Sequence, residues 1–525
     1  MSLSRRQLLA AAALGGAVTA IGLPAARAEG RVLGAGDHEY EELTRRGYNR
    51  RFQARPAKIY LPTTTEQVRT AVARSVAEGT RIAARSGGHC FDDFVDHAAT
   101  RSLIDLSRID AVYWDERLRA FSVGAGADIG TVYDALLRNG GVTVPGGICL
   151  GVGMGGHLCG GGYGPLSRRH GLVADHLAGV EVVTVDADGA VKVVLATPDG
   201  PDRDLWWAHT GGGGGNFGVV TRFLLRSPSA DGTDPAAALP KPPGSMLSTR
   251  LIVPVTTEES FVRFVGNYLA FFERHSAPGD EFTGLYAPLM IRTTGTAAAE
   301  LLVLLDADAP DARARLDAFV TTVTDGVFPP AIPTPVAQLS YPDTVRQVYY
   351  AKGPSELRVK VKAAYLRTAY SPDQLRIFYR YLTDPRFLGE SQLEFLPFGG
   401  AINAVPADAT AMPARDSFMT MLIHAAWRRP AGDDRFLRWA RDMYRDVHAD
   451  TGGVPVPGDT YGGSYINYPD PDLADPAWNT SGLPWHAFYY RDNYPRLHRI
   501  KTDRDPGNVF AHQLSIGRPE WGPIR

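Results

Sequence analysis

The chain has 525 residues, and its 55 basic and 57 acidic side chains give a formal net charge of −2 at pH 7. This balance provides no long-range field for a polyanion and argues against nucleic-acid binding, while the length favours at least two lobes. The composition, with 44% hydrophobic and 21% charged residues, is typical of a globular protein. The three cysteines, Cys90, Cys149 and Cys159, are too few for a disulfide framework and form no CxxC zinc motif.

The first 28 residues have the features of a targeting segment. They contain the pair Arg5-Arg6, a mildly apolar run and a small-x-small site at Ala26-Arg27-Ala28. A short N-terminal helix or membrane anchor is the alternative, but two glycines and Pro24 interrupt the apolar run. We therefore predict a twin-arginine signal peptide over residues 1–28 and a secreted mature protein. Because twin-arginine export carries folded proteins, the signal also indicates a cofactor that binds before export.

The next stretch predicts a strand, a helix and a strand. In "RPAKIYLPTTTEQVRTAVARSVAEGTRIAARSGGH" apolar residues recur at helical spacing from Val68 to Ala77, and Gly79 is placed to end the helix. "SLIDLSRI", "AVYWDE" and "RAFSVGAG" predict short strands, followed by a helix at "TVYDALL". In "VEVVTVDADGAVKVV" we predict a hairpin with the two-residue turn Asp188-Gly189. The region up to about residue 225 is therefore α+β.

Near residue 228 the composition changes. "SPSADGTDPAAALPKPPGS" is rich in Pro, Ser, Ala and Gly, and predicts an exposed linker at a lobe boundary. Beyond it, "STRLIVPV", "AELLVLLDA" and "SFMTMLIHAAW" predict strands, whereas "EESFVRFVGNYLAFFERH" and "ARARLDAFVTTV" predict helices. The tail "YYRDNYPRLHRIKTDRDPGNVFAHQLSI" combines a helix with a turn, and we expect it to return to the first lobe.

A GxGxxG sequence at Gly151–Gly156, followed by Asp175, is also compatible with a nicotinamide-binding fingerprint. Such a fingerprint needs a helix after the glycine motif. The four glycines in "CGGGYG" would each destabilise that helix by about 1 kcal/mol, so we expect a loop there instead. Three glycine-rich stretches occur, at Arg85–His89, Gly146–Gly164 and Gly211–Gly218. Their backbone N–H groups could hold a pyrophosphate. The alternative is three tight turns in a compact domain, which would be preferred for one such stretch but less so for three.

Four longer motifs carry a resemblance. "RSGGHCFDDFVD", "PGGICLGVGMGGHLCGGGYGPLSRRHGLVADHL", "DLWWAHTGGGGGNFGVVT" and the closing "YYRDNYPRLHRIK" with "DPGNVF" occur in this order along nearly the whole mature chain. Together they resemble the FAD-linked oxidases of the vanillyl-alcohol oxidase superfamily, in the berberine-bridge-enzyme-like branch. Within this branch the sequence is most similar to actinobacterial oxidases that act on sugars of glycosylated natural products.

The resemblance implies a two-lobed α+β fold of the vanillyl-alcohol-oxidase type. We accordingly predict an FAD-binding domain of two α+β subdomains over residues 29–228 and a substrate-binding domain over 229–478, whose antiparallel sheet with helices roofs the flavin. Residues 479–525 would return to the FAD-binding domain.

The resemblance also implies that FAD is attached twice. The histidine of the RSGGH motif, His89, would bond to the flavin 8α-methyl group, and Cys149 would bond to ring carbon 6, because Cys149 and Val152 match the family motif Cys-x-x-Val-Gly-x-Gly-Gly-His. Cys90 and Cys159 are assigned as small buried residues. The further residues predicted to bind FAD are Arg85, Ser86, Gly87, Gly88, Val152, Gly153, Gly156, His157, Gly215, Asn216, Gly218, Val220, Tyr490 and Asn493.

For catalysis the resemblance points to Tyr468, in "NYPD", as the base that takes the hydroxyl proton. Because an ordinary phenol is a poor base at neutral pH, it would need nearby donors or positive charge. Tyr163 matches a second active-site tyrosine of some relatives, although simple packing explains it equally well, and Tyr465 is a weaker candidate. In one relative a further tyrosine supports a second oxidation. The matching stretch "EFLPFGG" has Leu396 and Phe398 instead, which places that second step in doubt.

Taken together, the expected function is that of a secreted oxidase acting on a sugar hydroxyl of a glycosylated natural product. Val152 occupies a place associated in the family with fast reaction with dioxygen, so hydrogen peroxide is the expected by-product. The partners would be the small-molecule glycoside, dioxygen and the export machinery, with no metal, nucleic acid or membrane. Three alternatives remain: an oxidase of free oligosaccharides, an oxidase of a non-sugar allylic alcohol or lactol, and a non-catalytic binding protein with a flavin fold.

Overall fold

The computed structural model describes residues 30–293, 298–351 and 355–517. The predicted signal peptide lies outside the described residues. In the described part of the chain, no helix combines the length and apolar character needed to cross a membrane.

The first sheet has four strands in the order β1-β2-β4-β3. They are β1 (Arg31–Leu33), β2 (Lys58–Leu61), β3 (Ile82–Arg85) and β4 (Ser102–Asp105), with α1 (Tyr40–Thr44) and α2 (Thr65–Ala77) between them. Strands β2 and β3 each pair with β4 in parallel, which requires the crossover that α2 supplies. Thr64 caps α2 by accepting a hydrogen bond from the Gln67 N–H. The predicted strand, helix and strand are confirmed.

The second sheet is antiparallel, in the order β5-β6-β9-β7-β8. It contains β5 (Val112–Asp115), β6 (Ala120–Gly124), β7 (Leu177–Val185), β8 (Val191–Ala196) and β9 (Val219–Leu225). Between its strands lie α3 (Ile129–Gly140), α4 (Met154–Cys159), α5 (Ser167–His170) and α6 (Arg203–Ala208). The hairpin β7–β8 is confirmed, but the two-residue turn is wrong. Asp186 N–H donates to Ala190 O at 3.0 Å, so three residues form the turn, with Gly189 at φ +76°.

The third sheet has ten strands. They are β10 (Ser245–Pro254), β11 (Leu285–Tyr286), β12 (Leu289–Arg292), β13 (Ala298–Asp306), β14 (Ile332–Pro333), β15 (Ala337–Ser340), β16 (Arg358–Leu366), β17 (Gln392–Pro397), β18 (Met419–Trp427) and β19 (Tyr461–Gly463). Its helices are α7 (Glu258–Arg274), α8 (Ala312–Thr324), α9 (Tyr341–Gln347), α10 (Pro372–Leu382) and α11 (Asp433–Val447). Side chains alternate along β17, so Phe395 packs against Phe378 of α10 while Glu394 faces a cavity on the opposite side.

The connection between the second and third sheets is less exposed than its composition predicts. Ala238 and Leu239 are buried, because Pro240 O accepts a hydrogen bond from Thr143 N–H at 2.8 Å and holds the segment against the first lobe. The expectation of an exposed linker is therefore confirmed over much of residues 228–237 and wrong at Ala238 and Leu239.

The C-terminal segment contains α12 (Trp485–Tyr490) and α13 (Tyr494–Arg504). Lys501 Nζ donates to Asn216 O at 2.7 Å, and Ile516 N–H donates to Asn216 Oδ1 at 3.0 Å. These contacts return the tail to the glycine-rich loop before β9. The limits at residues 228 and 478 remain predictions.

Candidate active site

A cavity of about 580 Å³ lies between the loops of the first two sheets and the face of the third. Most of the predicted site residues line it: Arg85, Ser86, Gly87, Gly88, His89, Cys149, Val152, Gly153, Gly156, His157, Tyr163, Gly215, Gly218, Val220 and Tyr468. Residues more than 300 positions apart in the sequence therefore share one chamber.

Three predicted residues do not line the cavity. The Asn216 amide and the Tyr490 hydroxyl both donate to Gly212 O at 3.0 Å. Asn493 Nδ2 donates to Ala407 O at 2.8 Å. Asn216 and Tyr490 therefore brace the glycine loop from behind, and Asn493 holds a neighbouring loop. The assignment of these three residues to cofactor binding stays a prediction.

Two of the predicted glycine loops meet at the cavity wall. A β-carbon on Gly87 would lie closer than 3.0 Å to backbone atoms of Gly153, and one on Gly153 would collide with Ser86 and Gly87. Ser86 Oγ joins the loops further by donating to Ala125 O at 2.6 Å and accepting from Gly155 N–H at 3.3 Å. Glycine is therefore required at both positions by the close approach of the chains.

The Arg85 guanidinium is turned away from the cavity into an ion pair. Its Nη2 lies 2.8 Å from Asp105 Oδ2, and both side chains are fully buried. Arg46 Nη1 binds the same carboxylate at 2.8 Å. These two cations, together with hydrogen bonds, hold the pKa of Asp105 below its ordinary value although burial alone would raise it. Arg85 therefore contributes to the cavity through its position in the loop, and its charge is used within the first sheet.

His89 is held by a segment that the sequence did not single out. The Tyr48 ring stacks on the His89 imidazole with centroids 5.3 Å apart, and Tyr48 N–H donates to Gly88 O at 2.8 Å. The amide of the neighbouring Asn49 donates to Phe91 O at 2.6 Å. The backbone on both sides of His89 and the plane of its ring are thus fixed before any bond to a cofactor forms.

Cys149 begins a tight turn at the opposite wall. Val152 N–H donates to Cys149 O at 3.2 Å, and Leu150 N–H donates to Tyr350 O at 3.0 Å. Burial raises the pKa of the Cys149 thiol to about 12, and Glu394 adds to the effect. Cys90 and Cys159 also line the cavity, so location alone does not select the attachment residue among the three cysteines.

His157 is a partly buried, neutral imidazole. Burial lowers its pKa to about 4, and its Nε2 accepts a hydrogen bond from Gly147 N–H at 3.2 Å. It therefore positions the loop that leads to Cys149, which is a supporting role compatible with its predicted place at the cofactor site.

Two tyrosine hydroxyls meet in the cavity. Tyr163 Oη and Tyr468 Oη are 3.2 Å apart, and the Tyr465 ring lies edge-on to both. The Tyr465 hydroxyl accepts from Asn467 Nδ2 at 2.9 Å and is thereby engaged elsewhere. Leu396 and Phe398 pack in the same cluster, as expected from their alignment, and provide no hydroxyl group.

Comparison with known proteins identifies the family. A family model of the FAD binding domain matches residues 56–194, and one described as berberine and berberine like matches residues 464–517. The aclacinomycin-N/aclacinomycin-A oxidase of Streptomyces galilaeus is 44% identical over 526 residues, covering 97% of this chain and 95% of that protein. The chain belongs to the berberine-bridge-enzyme-like family.

Solved structures agree with this membership. CrmK, a flavoenzyme of caerulomycin biosynthesis, has a TM-score of 0.90 at 45% identity, covering 93% of this chain and 99% of that chain. The glycopeptide hexose oxidase solved with teicoplanin has a TM-score of 0.89 at 42% identity with the same coverage. This berberine-bridge-enzyme-like chain is thus an FAD-dependent oxidoreductase, which confirms the predicted fold class, FAD as the cofactor and the enzyme class, while its covalent attachment stays a prediction.

The GxGxxG sequence at Gly151–Gly156 does not form a nicotinamide-binding fingerprint. The loop predicted there is partly wrong, because the short helix α4 begins at Met154. This helix ends at Cys159, where the run of glycines begins. Asp175, the expected ribose ligand of such a fingerprint, instead forms a buried ion pair with Arg415 at 2.6 Å.

The cavity fits FAD as the berberine-bridge-enzyme-like family uses it. Its walls are largely apolar or glycine backbone, and Arg85, whose charge is engaged by Asp105, is the one Lys or Arg among the described residues that line it. The residues that would hold the ring system are those around His89, Cys149 and Tyr350, while the backbone of the glycine loops would hold the pyrophosphate.

A buried charge cluster supports the loop that carries Tyr468. Lys360 and Lys362, on β16, bind Asp470 at 2.7 and 2.8 Å, and Lys362 binds Asp472 at 2.7 Å. Arg441 completes the cluster on Asp472 at 2.7 Å. Sequence reasoning missed it, although two lysines at alternate positions of the apolar strand "RVKVKAAYL" are a visible signal of buried, paired charges.

Proposed function

We propose that this chain is a secreted oxidase that converts a sugar hydroxyl of a glycosylated natural product into a carbonyl group, with FAD bound covalently through His89 and Cys149. One observation carries the proposal: His89, Cys149 and the hydrogen-bonded pair Tyr163 and Tyr468 line the same cavity. FAD, when bound, supplies an oxidised ring system that accepts hydride from the alcohol carbon and passes the electrons to dioxygen, giving hydrogen peroxide.

The substrate class is supported by the names of relatives. Aclacinomycin oxidase and the glycopeptide hexose oxidase, both above 40% identity, suggest a sugar attached to a larger natural product. The hexose oxidase of Chondrus crispus, at 28% identity, keeps free sugars as an alternative. The structure of GilR with pregilvocarcin, at 38% identity, keeps a non-sugar alcohol in gilvocarcin-like biosynthesis as another. Because Leu396 and Phe398 carry no hydroxyl group, we propose a single oxidation step.

A peroxide-release screen over free sugars, oligosaccharides and glycosylated antibiotics tests the substrate class. Release with glycosylated antibiotics and not with free sugars is the expected result. Peroxide formed only with unglycosylated alcohols would contradict the sugar assignment, and flavin that no alcohol bleaches under anaerobic conditions would contradict an oxidase.

The two attachments are tested by acid precipitation of the holoenzyme. The precipitate should remain yellow in the wild type and in His89→Ala and Cys149→Ala, and lose its colour only in the double variant. Cys90→Ala and Cys159→Ala are matched controls, since both thiols line the same cavity, and neither should change the absorption spectrum. An unchanged spectrum in Cys149→Ala would overturn the second bond.

Tyr468 is the proposed acceptor of the hydroxyl proton, and Tyr163 is its hydrogen-bond partner. Burial raises the pKa of both phenols above the usual value, and Glu394 and the mutual interaction of the phenols raise that of Tyr468 further. The leading causes of this shift among the described residues, namely burial, Tyr163, Glu394 and Tyr465, all raise the pKa of Tyr468.

This electrostatic setting gives the proposed base a distinct pH dependence. Because the base acts only when deprotonated and its pKa is raised, the rate of anaerobic flavin reduction should rise about tenfold per pH unit from pH 6 to 9. Stopped-flow absorbance measures this rate, and Tyr468→Phe should abolish the rise while flavin content is unchanged. A plateau below pH 8, or wild-type reduction rates in Tyr468→Phe, would rule out this role.

A further inference from the structure

The third sheet contributes one carboxylate to the cavity. Glu394, on β17, is the only aspartate or glutamate among the described residues that line it. Gln392 and Leu396 share its face because strand residues alternate, and both also line the cavity. The carboxylate therefore lies on an otherwise mostly apolar surface.

The Glu394 carboxylate contacts an amide and an imidazole. Its Oε1 accepts from the Gln392 amide at 2.7 Å, and the nearest ionisable nitrogen is His424 Nδ1 at 3.6 Å. Across residues 30–293, 298–351 and 355–517, no lysine or arginine forms an ion pair with it. Glu300, on β13 two strands away in the same sheet, is by contrast paired with Arg250.

The negative charge acts on several residues that line the cavity. Glu394 contributes to the raised pKa values of Cys149, Tyr350, Tyr163 and Tyr468. In the sheet it is paired directly with Leu422, which packs against Tyr468. A ligand seated between Cys149 and Tyr468 therefore lies in the field of this carboxylate.

We propose that Glu394 selects substrates by charge, favouring a glycoside whose reacting ring carries a protonated amine and excluding one whose ring carries a carboxylate. The proposal rests on the proposed function, since it requires a sugar ring at this wall. Two unit charges separated by about 6 Å in a cavity of effective dielectric constant near 20 interact strongly enough to change affinity about tenfold to hundredfold. A neutral ring should bind with intermediate affinity.

Three matched ligands test the selection in the holoenzyme at pH 6: methyl glucosaminide, methyl glucoside and methyl glucuronide. Isothermal titration should show the amine binding at least about tenfold more tightly than the carboxylate. Glu394→Gln should reduce that ratio to near one. Glu390→Gln is the matched control, because Glu390 is exposed, pairs with Arg428 at 2.7 Å and does not line the cavity. Its ratio should equal that of the wild type.

A second measurement needs no sugar. Sulfite, an anion that bleaches the visible absorbance of reactive flavins, should bind at least about tenfold more tightly to Glu394→Gln than to the wild type or Glu390→Gln. Equal sulfite binding by all three proteins would overturn the proposal. Wild-type protein that binds the glucuronide as well as the glucosaminide, or that binds none of the three glycosides, would overturn it equally.

These readouts separate this proposal from the proposed function. Charge-dependent binding without peroxide from any glycoside would support Glu394 and contradict the oxidase assignment. Peroxide release with the same preference in wild type and Glu394→Gln would support the oxidase and overturn the role of Glu394.

Discussion

Replacing Lys362 with methionine should destabilise the protein substantially. The Lys362 side chain is 2% exposed and its Nζ contacts Asp470 and Asp472 at 2.8 and 2.7 Å. Removing one partner of a buried ion pair typically costs about 3 to 5 kcal/mol. Lys360 and Arg441 still compensate both carboxylates here, so we expect the lower end, about 3 kcal/mol.

Guanidinium unfolding of the holoenzyme at pH 7, followed by tryptophan fluorescence, measures this loss of unfolding free energy. Lys58→Met is the control, because the Lys58–Glu78 pair is solvent-accessible and should contribute less than about 1 kcal/mol. A change below about 1 kcal/mol for Lys362→Met, or equal to that of Lys58→Met, would refute the reasoning.

Three further predictions concern separate parts of the chain. Gly153→Ala should lower flavin content and destabilise the fold by about 1 to 3 kcal/mol, because the added methyl group collides with Ser86; normal flavin content would contradict the close approach. Burial raises the pKa of Asp92 from 3.8 to about 7, so the folded state holds a proton that the unfolded state loses, and stability falls as pH rises from about 4 to 7. Asp92→Asn should therefore be more stable than wild type at pH 8 by roughly 4 kcal/mol in urea unfolding. The same pH dependence of the unfolding free energy in both proteins would exclude Asp92 as its source. Replacing Arg5 and Arg6 by lysine should retain the protein inside the cell, and continued appearance in the medium would exclude twin-arginine export.

The elements that local patterns predict are those whose partners are close in sequence. Helix α2 was expected from Val68 to Ala77 and runs from Thr65 to Ala77, since its apolar spacing and its end at Gly79 are local features. The turn after β7 was wrong by one residue because Asp-Gly suits both two-residue and longer turns, and the pairing of Asp186 with Ala190 decides between them.

The site divides in the same way. The glycine loops, His89, Cys149 and Tyr468 could be found from motifs, because the family resemblance carries them. The role of Asn49 could not be predicted, since its side-chain amide forms hydrogen bonds with the backbone of Val359, which is 310 residues away in the sequence. Glu394 was also missed, because a polar residue on a half-buried strand faces either a cavity or water, and only the packing of Phe395 against α10 decides which.

Strand β16 connects the two components that the proposed reaction has to align. At its beginning, the Asn49 amide bonds both the N–H and the C=O of Val359 at 3.0 Å while also holding Phe91 O, two residues after His89. One residue further, Lys360 binds Asp470, two residues after Tyr468. The loop that carries His89 and the loop that carries Tyr468 are thus held by adjacent residues of one strand. Since a hydrogen-bonded strand is stiffer than the loops it anchors, β16 helps to fix the spacing between His89 and Tyr468. Substitutions in this strand should therefore alter the rate of flavin reduction more than the affinity for substrate.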